Sequence, residues 1–301
     1  MSARRMALAV LALAAMVHAA PANAQDKIKV VASFSILADL VKNVGGDRLE
    51  IASLVPPGGD AHVYAPSPAD ARKLADAKVV FTNGLGFEGW IPRLVKASGA
   101  KAAIVVAAKG VKPRKSEEEG HGHGHDEADP HAWQSVANAK IYVGNIRDAL
   151  VAADPAGTAT YEANAAAYTA KLDALDREVK EQIAKIPADR RRIITTHDAF
   201  GYFKGAYGMD FIAPQGVSTE SEASARDVAR IIAQIRKQKI PAVFLENISD
   251  PRLLERIAAE TGAKIGGTLY SDALTGEKGP APTYIDMMKH NIRTLSAALT
   301  S

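Results

Sequence analysis

The sequence predicts an α/β fold of two lobes, each a mostly parallel sheet flanked by helices, joined by one long rigid helix. Three observations carry this expectation. Short β-branched runs alternate with amphipathic stretches in both halves of the chain. Between Pro155 and Pro187 no glycine follows Gly157, and one apolar stripe runs at steps of three and four. The 301 residues, less a 24-residue leader, leave enough chain for two lobes with cores of their own.

Residues 1–24 read MSARRMALAVLALAAMVHAAPANA, with Arg4 and Arg5, an apolar run from Met6 to Val17, and Ala22-Asn23-Ala24 as a small-x-small cleavage site. This is the pattern of a secretory signal peptide. Its apolar core is short for a bilayer span, and no later stretch offers 18 consecutive apolar residues. A mature chain exported to the periplasm, soluble and not itself membrane-spanning, is expected. A twin-arginine signal is disfavoured because an ordinary apolar run follows Arg4-Arg5.

The first lobe is expected over 25–153, with IKVVASF, RLEIASLV, KVVFTN and AAIVVAA as strands and ILADLVKNV, SPADARKLADA and GWIPRLVKAS as helices between them. Ser67 with Asp70 makes a capping-box start for the second helix. After a histidine-rich loop at 117–126, SVANAKIYVGNIRDALVAAD reads as the helix that closes this half. The linking helix is expected over 154–187, its apolar face formed by Tyr161, Ala165, Tyr168, Leu172, Leu175, Val179, Ile183 and Ile186; the 26 residues of Tyr161–Ile186 make a rod of about 39 Å. The rhythm resumes over 188–301 through RRIITT, DFIAP, PAVFLEN and AKIGGTLY, ending in a helix from about Thr283 to Leu299. Two such lobes leave a cleft at the carboxyl ends of their strands, where ligands of open parallel sheets sit.

Charge and composition exclude several classes. The formal charge of +3 falls to +1 without Arg4 and Arg5, so nothing suggests a nucleic-acid partner. There is no cysteine, hence no disulfide, no thiolate ligand and no lipid-modified cysteine; any metal must be held by nitrogen and oxygen.

Apart from His18 in the leader and His121, His123 and His125 in the loop, four histidines remain. His62 follows RLEIASLV and the turn PPGGDA, His131 ends the loop after ADP, and His197 ends RRIITT, all at junctions into a following helix. His290 lies within the last amphipathic helix and reads as a surface or packing residue. To balance His62 and His131 in the first lobe, a fourth ligand should come from the second; Asp272, after AKIGGTLY in YSDALTG, is the best-placed carboxylate. Three imidazoles and one carboxylate make a tetrahedral nitrogen and oxygen site that suits zinc. Glu222 and Glu246 are candidate acids to orient a ligand histidine through its other ring nitrogen. In EEEGHGHGHDEADPHAW the alternating glycines leave His121, His123 and His125 two readings, a solvated loop or an auxiliary zinc collector. His131 differs, because Pro130 restrains the backbone before it.

Gly84, Gly86 and Gly89 satisfy G-x-G-x-x-G after a strand, but no acid occurs between Glu88 and Glu117 to hold a ribose, so a tight turn near the cleft is expected rather than a nucleotide site. No P-loop, nucleophile elbow or H-E-x-x-H is present.

The stretches GGDAHVYAPSPADARKLADAKVVFTNGLGFEGW, DPHAW, TTHDAFGYF, STESEASARD and YSDALTG, in this order across essentially all of the mature chain, resemble the zinc- and manganese-type solute-binding proteins of bacterial ABC importers. The resemblance implies two α/β lobes on a rigid helix and a metal held by His62, His131, His197 and Asp272. In that family the position of His197 is often Glu in manganese members, which tilts the reading to zinc, and the acidic histidine-rich loop is similar to the zinc branch. Ala61 stands where many relatives have proline, and Asp60 beside it offers an extra or competing oxygen. The loop is short compared with the long ones of some relatives, and a disulfide found in some relatives is absent. A monomeric zinc receptor that passes one ion to an inner-membrane permease, and not an enzyme, is the function expected. Its alternatives are a manganese-specific receptor, a zinc reservoir or metallochaperone, and a zinc hydrolase using Asp198, Glu222 or Glu246 as base.

Overall fold

The computed structural model describes residues 27–115 and 128–300. The leader at 1–24 and the loop at 117–126 lie outside the described residues. The first half runs β1 (Ile28–Phe34), α1 (Ser35–Gly45), β2 (Leu49–Val55), α2 (Pro68–Asp76), β3 (Val79–Thr82), α3 (Ile91–Ser98), β4 (Ala103–Val106) and α4 (Val136–Ala153). The second runs β5 (Arg192–Ile194), α6 (Gly201–Tyr207), β6 (Asp210–Ile212), α7 (Ala225–Gln238), β7 (Ala242–Glu246), α8 (Arg252–Thr261), β8 (Lys264–Leu269) and α9 (Tyr284–Leu299). The sheets have orders β2-β1-β3-β4 and β6-β5-β7-β8. Every pairing between named strands is parallel, one step beyond the mostly parallel sheets expected.

Local chemistry sets the boundaries. Ser67 and Asp70 form the expected capping box with Pro68 in the first turn of α2. Ser224 and Thr283 cap α7 and α9 through the amides of Asp227 and Asp286.

Between the halves lies α5 (Thr158–Lys185), 28 residues and about 42 Å long. It buries Tyr161, Ala165, Tyr168, Leu172, Leu175, Val179 and Ile183. Those residues join one continuous core that draws Phe34, Leu40 and Trp133 from the first half and Phe203, Tyr284 and Ile292 from the second. Separate apolar clusters fill the outer face of each sheet, around Leu74 and Val80 in one and Ile231 and Leu254 in the other. Polar ties cross the junction too: Tyr284 donates its amide to Asp39 Oδ2 at 2.9 Å and its hydroxyl to the Trp133 carbonyl at 2.7 Å. Among the described residues no helix is long and apolar enough to cross a membrane.

Candidate metal centre

Each of the four candidate ligands stands at the end of a strand or loop that the packing holds in place. His62 follows β2 and the turn Pro56–Gly59, with its amide donated to Asp60 Oδ1 at 2.9 Å and the preceding Ala61 carbonyl held by Trp90 Nε1 at 2.8 Å. His131 donates its amide to Asp129 Oδ1 at 2.9 Å, and Asn83 at the end of β3 holds the Pro130 carbonyl at 2.9 Å. His197 leaves β5 with its amide and that of Thr196 both given to Glu246 Oε1, at 3.0 and 2.7 Å. Asp272 follows β8, and the carbonyl of Ser271 accepts from Trp133 Nε1 at 2.9 Å and Gln134 Nε2 at 2.7 Å. The first lobe therefore grips the segment that carries the second lobe's carboxylate.

The structure brings the four together: one ligand atom from each of His62, His131, His197 and Asp272 lies within 4.8 Å of all the others. His62 Nε2 is 3.2 Å from His131 Nε2 and 3.3 Å from Asp272 Oδ2. His197 Nε2 is 3.1 Å from Asp272 Oδ2, and His131 Nε2 is 3.6 Å from Asp272 Oδ1. A tetrahedron with bonds of about 2.0 to 2.1 Å has edges of about 3.3 Å, so the spacing fits a four-coordinate cation. The buried Asp272 Oδ1 has no hydrogen-bond donor, as expected of an oxygen turned towards an ion.

Outer carboxylates back two of the rings. Asp129 Oδ1 lies 2.9 Å from His131 Nδ1, which places that ring's proton there and turns its Nε2 lone pair inward, and Glu246 Oε2 makes an ion-pair contact of 2.6 Å with His197 Nδ1 on the side away from the cluster. Burial pulls His131 down, but the Asp272 and Asp129 carboxylates outweigh it and push it up to about 9. Burial likewise opposes Glu246 and Asp272 at His197, which ends well above the ordinary imidazole value. His62 lies below it, because burial outweighs its contact with Asp272. Asp272 is held well below the usual carboxylate range by His131 and His197 despite its burial. Three buried carboxylates, Asp129, Glu246 and Asp272, thus face three imidazoles, a charge balance that a divalent cation or bound protons complete.

Two expectations change, those for Asp60 and Glu222. Asp60 is not in the cluster: one oxygen takes the His62 amide and the other accepts from Thr219 Oγ1 at 2.6 Å. Glu222 orients no histidine; it is exposed, in the field of Arg252, because its segment faces solvent before α7 begins. His121, His123 and His125 lie outside the described residues, beyond a bridge that pairs Lys115 with Ala128. His290 packs on Tyr270 at 4.9 Å between ring centroids, with Nε2 3.0 Å from the Thr268 carbonyl.

Sequence reasoning missed Asp129, although the signal was in DPHAW: an Asp two residues before a His accepts the later amide in an Asx turn. It also missed the aromatic floor, where Phe87 packs on His62 at 4.7 Å and Trp133 on His131 at 5.3 Å. Phe87 is delivered by the glycine-rich turn. Gly84 has φ +84°, and a Cβ there would meet Val106 Cγ1 at 2.4 Å. The buried carboxylate of Glu88 fills this turn, taking the amides of Asn83 and Gly84 and the Ser33 hydroxyl, so the backbone donors a phosphate would need are already engaged.

The profile of a family described as zinc-uptake complex component A periplasmic (ZnuA) matches residues 30–298. The chain is 36% identical over 287 residues to the iron-binding protein YfeA of Yersinia pestis, covering 95% of this chain and 91% of that protein. It is 36% identical over 275 residues to the manganese-binding lipoprotein MntA of Halalkalibacterium halodurans, covering 91% and 89%. Among solved structures it is similar to the periplasmic zinc-binding protein TroA of Treponema pallidum, with a TM-score of 0.85 and 32% identity over 91% of this chain and 100% of that one.

Proposed function

The chain belongs to the ZnuA family of metal-binding components of ABC importers, which are substrate-binding proteins and not enzymes, and from that premise we propose that it captures one zinc ion in the periplasm through His62, His131, His197 and Asp272 and delivers it to a membrane permease. The observation that carries the reading is the convergence of three Nε2 atoms and one carboxylate, drawn from both lobes, at the spacing of a tetrahedral site. With all four positions filled by protein, no open position is left for a substrate water, which fits capture rather than hydrolysis. The leader at 1–24 directs export, and the mature protein acts as a monomer with a core continuous through α5, so metal release involves modest local opening.

Manganese is the second reading, favoured by one observation. Both oxygens of Asp272 face the cluster, and a bidentate carboxylate gives a harder, five-coordinate site. Metal analysis of protein purified without added metal, followed by competition between zinc and manganese, tests the proposal. Zinc bound at one ion per chain and resisting a large excess of manganese is expected; displacement by stoichiometric manganese overturns zinc in favour of the second reading.

A further inference from the structure

Of the four clustered residues only His62 has any exposure, 7%, while His131, His197 and Asp272 have none. The one exposed edge of the cluster is therefore at His62. At that rim the lobes are tied by Asp60, in the turn after β2. Its Oδ1 holds the His62 amide at 2.9 Å, and its Oδ2 accepts from Thr219 Oγ1 across the cleft at 2.6 Å. Thr219 belongs to residues 213–224, an irregular segment between β6 and α7 that starts beside the opposite ligand: Gln215 bridges to His197, and the Asp198 amide donates to the Gly216 carbonyl. One carboxylate thus grips the backbone of the outermost ligand with one oxygen and the other lobe with its second.

We propose that the Asp60–Thr219 hydrogen bond is a latch that sets how fast metal leaves and enters the site, with Asp60 and Thr219 as positioning residues and not ligands. The inference rests on the metal-binding reading of the cluster. Separating the turn that carries His62 from the segment beside His197 opens the exposed side, and this bond must break for the two to part. A latch differs from a ligand in its kinetics: its loss speeds exit and entry together, so affinity moves less than either rate, whereas loss of a ligand weakens affinity at a nearly unchanged entry rate.

The test is stopped-flow release of zinc from the full mature chain into excess chelator, paired with the entry rate and equilibrium affinity. Thr219→Val keeps the shape and removes the donor. It should release zinc about tenfold faster, the scale of one lost hydrogen bond to a charged group, with entry also faster and one ion still bound. Thr219→Ser should restore the wild-type rates, and Thr219→Ala provides a second deletion of the donor if valine disturbs folding. Asp60→Asn should give a smaller acceleration with the stoichiometry intact. Wild-type release rates in folded Thr219→Val and Thr219→Ala overturn the latch and leave the metal site standing. A large loss of affinity in Asp60→Asn at an unchanged entry rate overturns it in favour of Asp60 as a ligand. Failure of the wild-type protein to bind zinc or manganese removes the metal-binding reading and the latch with it.

Discussion

The two halves share one strand order, second-first-third-fourth, yet they set their histidines at different strand ends. His197 follows β5, a central strand, and the carboxylate that clamps it, Glu246, ends the adjacent central strand β7. His62 follows β2, an edge strand with a neighbour on one side only, and no carboxylate among the described residues meets its Nδ1. The second half thereby brings a fully buried histidine to the cluster, whereas the first brings His131, also buried, and His62 at the rim. In the proposed capture and release, the buried residues would be the frame that defines the geometry and His62 the one that gives way.

The largest expected effect separates these two histidines. His197→Ala should abolish tight zinc binding, a loss above the roughly 100-fold upper figure for an outer partner. His62→Ala should leave weaker binding at the same place. Competition against a chelator of known affinity measures both, and equal losses would break the contrast.

Next come the outer groups. Glu246→Gln and Asp129→Asn should each lower zinc affinity about 10- to 100-fold, since they free the ring that each carboxylate orients. Trp90→Phe, which releases only the Ala61 carbonyl on the His62 side, should cost about two- to tenfold.

The pH dependence sharpens the contrast in the metal-free protein. His131, pushed up to about 9, binds a proton more tightly folded than unfolded. Its contribution, about 3 kcal/mol on that shift, is present below about 6.5 and lost as pH rises through 9. His62, shifted the other way by burial, costs stability as pH falls below about 6.5. Thermal midpoints of metal-free protein should therefore fall between pH 6.5 and 9, and His131→Gln should flatten that slope while His62→Gln leaves it. Zinc competes with the same protons, so its affinity should keep rising up to pH 9 instead of levelling near 7. The smallest effect is expected from the loop: deleting Glu117–Asp126 should leave one tight site with its affinity unchanged, counted by titration, and loss of most tight binding would favour a reservoir.

Much of the molecule was legible from residue order alone. Periodicity placed the strands, helices and the buried stripe of α5, because burial demands period two in a strand and 3.6 in a helix whatever the neighbours are. Position where a strand or a loop gives way to the next element singled out His62, His131, His197 and Asp272 as residues that could meet, since parallel sheets gather such junctions at their carboxyl ends. The distances between them, the choice of Glu246 over Glu222 as the orienting acid, and the use of Asp60 as a tie between lobes were decided only in three dimensions. Each depends on which distant segment lies opposite: Thr219 is 159 positions from Asp60, and Glu246 is 49 from His197. Local sequence specifies how a segment folds on itself, whereas a hydrogen bond of 2.6 to 3.0 Å requires both partners to be placed to within a few tenths of an ångström, and only packing across the whole core supplies that.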